Sequence, residues 1–294
     1  MSSTHDPPRG SRTVLVTDAR DGLGRATALL LADAGHCVLA CGPDLAGMDD
    51  MPRETMRGGL IEVFRVALQD PLSCDAALRR TTELFGRIDV IVHTGLATHF
   101  GPVEEVDDAT IERVFAENFF GPLTLIRRAT PAFRQRGAGT VLCVSSAAGR
   151  VALPLSALLS ASHHALEALC DALRLELRPF GVNVVLVETG LVRRGVVAAA
   201  ADRVEQALAG VGEHSPYAGV AHALGAVIRD LEQTAATPRD VAEVIVRALA
   251  SSHPRPRYAV TRRTAAWIWA RRLLPDRILD GRLAKAMGIK EPAD

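Results

Sequence analysis

Short apolar runs alternate along the chain with longer amphipathic stretches. The runs at 13–16, 37–41, 61–66, 88–92, 140–144 and 182–187 are apolar almost throughout, the pattern of strands covered on both faces. Between them, apolar residues recur at helical spacing over 22–34, 71–85, a long stretch ending at Arg136 and 158–178. Gly35 supplies a C-cap to the first helix, and Gly121-Pro122 predicts a break in the long one. Thr237-Pro238 reads as an N-cap followed by proline at the first helical position. A last strand at 257–260 and a basic amphipathic stretch at 267–287 complete the series. The alternation predicts an α/β fold, a doubly wound parallel sheet of seven strands with helices on both faces. There is no internal repeat and no second-domain linker. The expected organisation is a disordered leader at 1–11, a single domain at 12–263 and an amphipathic tail at 264–294.

Composition narrows the function. The 294 residues carry 34 basic and 34 acidic side chains, interspersed, so no electrostatic footprint for nucleic acid is present. The five cysteines lie mostly in apolar runs without metal-ligand spacing, as buried free thiols in a reducing cytoplasm would. No run reaches membrane-spanning length and no secretory signal opens the chain, so the expected location is cytoplasmic. Abundant arginine and alanine point to a GC-rich bacterial gene.

The chemistry lies in one ordered set of segments. Thr17-Asp18-Ala19-Arg20-Asp21-Gly22-Leu23-Gly24 follows the first strand, and Glu117-Asn118-Phe119-Phe120-Gly121-Pro122 lies in the long helical stretch. Ser145-Ser146-Ala147-Ala148-Gly149 follows the fifth strand, and Leu159-Ser160-Ala161-Ser162-His163 opens the next helix. In place and order these resemble the short-chain dehydrogenases/reductases, and the C-terminal pattern from Pro254 to Arg277 resembles their 17β-hydroxysteroid-dehydrogenase-like branch. The resemblance implies a Rossmann-like fold, with a substrate lid at about 190–236. It also assigns Ser146 to the substrate carbonyl and Asn118 to a structural water.

The same comparison exposes what is missing. Leu159 stands at the family's catalytic tyrosine and His163 at its lysine. Realignment does not restore them, because the only tyrosines are Tyr217 and Tyr258 and the only lysines Lys285 and Lys290. In the cofactor loop Asp18 replaces the first glycine, and Asp21 stands at the helix start as an N-cap. Gly22 and Gly24 remain as a vestigial phosphate loop. Pro43, Ala67, His93 and Arg194 occupy other positions where the family contacts its dinucleotide. Arg20 and Arg194 are the candidate replacements for phosphate contacts.

Leucine transfers no proton, so the family's hydride-plus-proton reaction has no acid here. His163 lies one turn after Leu159 and is expected to look toward the old site, titrating near neutrality. The candidate catalytic set is therefore Ser146, Asn118 and His163, with Leu159, His93 and Arg194 in the substrate pocket. No cofactor is the primary expectation, with NAD(P) as the alternative. Three readings stay open. One is a cofactor-independent cyclase, isomerase, dehydratase or lyase acting on an apolar oxygenated small molecule in bacterial secondary metabolism. The others are an atypical NAD(P)-dependent oxidoreductase and a catalytically silent binding partner. A homodimer or homotetramer, pairing through the helices at 121–136 and 158–178, is expected from their wide apolar faces.

Overall fold

The structure, a computed structural model, describes residues 10–20, 22–193, 206, 208–212 and 214–289. In chain order these form β1 (Thr13–Val16), α1 (Gly22–Asp33), β2 (Cys37–Gly42), β3 (Leu60–Arg65), α2 (Pro71–Phe85) and β4 (Val90–His93). Then follow α3 (Asp108–Phe115), α4 (Gly121–Arg136), β5 (Gly139–Ser146), α5 (Ala157–Leu177) and β6 (Val182–Thr189). The C-terminal part comprises α6 (Ala218–Glu232), α7 (Pro238–Ala250), β7 (Arg257–Ala259), α8 (Arg262–Leu273) and α9 (Asp276–Ala286).

Seven parallel strands run in the order β3-β2-β1-β4-β5-β6-β7. Side chains alternate across the sheet because the strand period is two. Val14, Val16, Val38, Ala40, Val90 and Val92 pack on one face with α1 and α7. Leu15, Leu39, Cys41, Ile91, Val141 and Cys143 pack on the other with α2, α4 and α5. All five cysteines are free and buried on that second face. The order turns back between β1 and β4, so the connections leaving their carboxyl ends diverge and open a crevice there.

Local chemistry sets the helix ends. Asp70 accepts a hydrogen bond from the Leu72 amide at the start of α2, and Gly86 closes that helix in the left-handed region. Thr237 and Asp240 form a reciprocal capping box at α7. The edge strand β7 is held by Arg257, which pairs with Glu167 at 2.8 Å, Asp171 at 2.8 Å and Glu188 at 3.3 Å. Two elements differ from the sequence reading. The break at Gly121-Pro122 is a π-helical turn over Ala116–Phe120, one residue earlier, so the helical path continues into α4. The amphipathic tail is two helices, parted where Pro275 cannot extend α8.

Candidate functional site

The sheet's carboxyl edge carries a cleft of about 830 Å³. The β5–α5 connection contributes Ser146, Val151 and Leu153, α5 contributes Leu159, α6 contributes Leu224 and Ile228, and α8 contributes Trp267. Leu155, in the same connection, holds a left-handed backbone (φ 59°) that is costly for a bulky side chain, and its carbonyl accepts from the Gly101 amide. The polar groups in the lining are hydroxyls (Ser146, Ser156, Thr98, Thr234, Thr261 and Thr264), His99, and the Asp230–Arg263 ion pair at the α6 and α8 sides.

Ser146 ends β5 and caps the short turn Ala147–Gly149, its Oγ accepting from the Ala148 amide at 3.1 Å. One lone pair is thus engaged, while the hydroxyl proton is left for a group in the cleft. Asn118 is more fully committed. Its Oδ1 accepts from the Ala97 amide at 2.7 Å, and its Nδ2 donates to the Ala97 carbonyl and to Ser162 Oγ, each at 2.9 Å. Both amide protons are used in tying the loop after β4 to α5.

His163 does not join the cleft lining. It has no exposed surface, and neither ring nitrogen has a hydrogen-bond partner among the described residues. The reason is the turn above it: a Cβ built on Gly149 would lie 2.9 Å from His163 Cβ. Burial, and secondarily the charge of His164, lowers its pKa to about 4, so the expected titration near neutrality is absent. His93 is also buried, with its pKa lowered to about 3 first by burial and then by His163. Its Nδ1 pairs with Thr17 Oγ1 at 3.0 Å, and its Nε2 is unpartnered. At neutral pH the two imidazoles are uncharged and sit in the space between β4 and α5. Sequence spacing does not reveal this proximity, because the residues are 70 positions apart.

The turn after β1 is where the family resemblance puts the dinucleotide. Asp18 adopts the left-handed conformation (φ 51°) of the glycine it replaces. Gly24 packs so tightly on it that a Cβ would lie 2.1 Å from the Asp18 carbonyl oxygen. A Cβ on Gly22 would meet no described atom within 4 Å beyond its chain neighbours, and the start of a helix favours anions. The side chains are differently used. Arg20 pairs with Asp44 at 2.9 Å beyond β2, the Pro43 carbonyl accepts from Arg65, and the Ala67 amide donates to Ser73. Asp21 and Arg194 lie outside the described residues. The described backbone of this turn is compatible with a pyrophosphate held by amides and a helix start. No side chain at Leu159 or His163 reaches a ribose as a lysine would. Among the described residues no group of three or more His, Cys, Asp or Glu is placed to hold a metal ion.

The family model described as short chain dehydrogenase matches residues 12–236. The chain belongs to the short-chain dehydrogenase/reductase family. It is 31% identical over 274 residues to an uncharacterized oxidoreductase of Escherichia coli, YbbO, covering 92% of this chain and 93% of that protein. Human 17-beta-hydroxysteroid dehydrogenase type 1 is 31% identical over 260 residues, covering 85% of this chain and 77% of that protein. A short-chain dehydrogenase structure from Streptomyces avermitilis superposes with a TM-score of 0.76 at 25% identity, over 96% of this chain and 98% of that one. The NADPH-bound actinorhodin polyketide ketoreductase shares the fold, with a TM-score of 0.72 at 22% identity, over 85% of this chain and 95% of that one. No described helix is long and apolar enough to cross a membrane.

Proposed function

We propose that this short-chain family member is an atypical oxidoreductase acting on a hydroxyl or carbonyl of a large apolar small molecule, with NAD(P) as its cofactor. The observation that carries the reading is the cleft: apolar space of about 830 Å³ with the Ser146 hydroxyl, its proton uncommitted, in the wall. The oxidoreductase and dehydrogenase names of relatives spanning most of the chain support nicotinamide use over the cofactor-free expectation from the sequence. The Gly22–Gly24 turn and the start of α1 would hold the pyrophosphate, with Arg20 at its adenosine side. Bound there, NAD(P) supplies or accepts a hydride.

Ser146 orients the substrate oxygen and donates a hydrogen bond as negative charge develops on it. Asn118 and Ser162 hold the loop after β4 and the start of α5 in register around that oxygen. Leu159 has no proton to give and His163 is buried and neutral, so the substrate oxygen exchanges its proton with water entering the cleft. The proposed setting is a cytoplasmic homodimer paired through α4 and α5, supported by the exposed Phe120, Leu175 and Phe180 on and beside these helices, with residues 12–263 as one domain.

A second reading keeps the cleft and Ser146 but uses no nicotinamide, catalysing a cyclisation, isomerisation, dehydration or lyase step. It is favoured by Leu159 standing in the wall where a proton donor would be. Incubation with a panel of polycyclic and long-chain ketones and NADPH or NADH distinguishes them. Cofactor oxidation matched by alcohol formation supports the first reading. Substrate conversion with no change in cofactor supports the second.

A further inference from the structure

The two C-terminal helices have two different faces. Their inner faces close the cleft, through Trp267 of α8, Leu283 of α9 and the following Met287. Their outer faces are neither purely polar nor covered. On α8, Arg262, Ala266, Trp269 and Leu273 follow helical spacing along one exposed stripe, with Trp269 57% and Leu273 72% accessible. On α9 and just beyond it, Ile278, Arg282, Lys285 and Ile289 form a second exposed stripe of the same kind. The Arg272 guanidinium lies 5.6 Å over the Trp269 ring, so the tryptophan sits beside a cation at the surface.

The charge of this segment is as distinctive as its apolar content. Between 262 and 289 there are seven basic residues and two acidic ones, in a chain whose net charge is zero. Exposed tryptophan and aliphatic side chains interleaved with arginine and lysine are the composition of a helix lying in a headgroup layer. A second copy of the chain fits poorly, because isologous pairing would press two basic faces together. At 12 and 11 residues, neither helix spans a bilayer.

We propose that α8 and α9 form a peripheral docking face for an anionic lipid surface. The side chains of Trp269, Leu273, Ile278 and Ile289 enter the headgroup boundary, and Arg262, Arg282 and Lys285 meet lipid phosphates. Because the inner faces of these helices wall the cleft, an apolar substrate held in the bilayer is presented beside its binding site. The docking is independent of the reaction performed in the cleft.

Co-sedimentation of the full chain with vesicles of phosphatidylcholine alone, and of equimolar phosphatidylcholine and phosphatidylglycerol, tests it. The protein should pellet with the anionic vesicles and be released as salt rises. Arg282→Gln with Lys285→Gln should weaken that binding by about twenty-five-fold, at roughly fivefold per cation near an anionic surface. Trp269→Ser with Leu273→Ser should abolish it, while Leu72→Ser, which removes an equally exposed leucine on α2, should leave it unchanged. The proposal is overturned if the wild-type chain ignores anionic vesicles or binds both compositions equally. It is overturned too if light scattering shows the serine pair splitting a dimer while vesicle binding stays intact.

Discussion

The two sides of the crevice have diverged from the family pattern in opposite ways. At the β1–α1 turn the backbone is kept and the side chains are reassigned. Asp18 holds a glycine's conformation, Gly24 still packs on its carbonyl, and Arg20 and Thr17 are engaged with Asp44 and His93. At the β5–α5 side, on the proposed reading, the hydroxyl is kept and the proton relay is not: Ser146 faces apolar space, Leu159 lines the cleft where the family resemblance puts a tyrosine, and His163 is sealed under Gly149. A phosphate cradle is made of backbone amides and survives a change of side chains. A proton relay is made of two side chains and disappears with them.

Restoring the relay tests the comparison most severely. Leu159→Tyr with His163→Lys should raise NADPH-dependent ketone reduction by about 10²–10⁴-fold, the usual worth of a placed general acid. The Leu159 site borders the open cleft, so a phenol has room there. An unchanged rate would move the deficiency to the nucleotide side. Ser146→Ala should act in the other direction, lowering the rate by roughly ten- to a thousandfold at every pH, because it removes a neutral hydrogen bond to developing charge. A loss confined to one limb of the pH–rate profile would assign the role to a titrating group instead.

The buried imidazoles predict a smaller effect, on stability. The folded pKa values of His93 and His163 lie below the ordinary value of 6.5, so the unfolded chain takes up protons first as pH falls. Their contribution is fully present above pH 6.5. It declines by about 1.4 kcal/mol per pH unit per group as pH falls toward 4 and then 3. Urea midpoints measured across that window should shift less in a His163→Leu variant. Equal slopes in both proteins would show that His163 is hydrated in solution.

Much of this was legible in the sequence, for physical reasons. Strands covered on both faces read as continuous apolar runs, which located β1 to β6 to within a residue or two. Ser146, Asn118, Leu159 and His163 could be placed by their order along the family motifs. The burial of His163 could not, because helical spacing gives a direction but not what packs there. The covering group, Gly149, comes from the preceding turn. Nor could the far wall of the cleft be read. Trp267, Met287 and the Asp230–Arg263 pair come from helices whose docking depends on tertiary packing rather than on any local motif.

Calorimetric titration of NADP(H) and NAD(H) into the wild-type chain and Asp18→Gly decides whether this cleft works with a nicotinamide. Saturable binding of at least one dinucleotide to the wild type is expected. Binding should tighten by about tenfold in the glycine variant, where a carboxylate beside the pyrophosphate is removed, equivalent to about 1.4 kcal/mol. Absence of binding heat for all four dinucleotides in both proteins would contradict it, and would leave Ser146 and its apolar cleft to chemistry without nicotinamide.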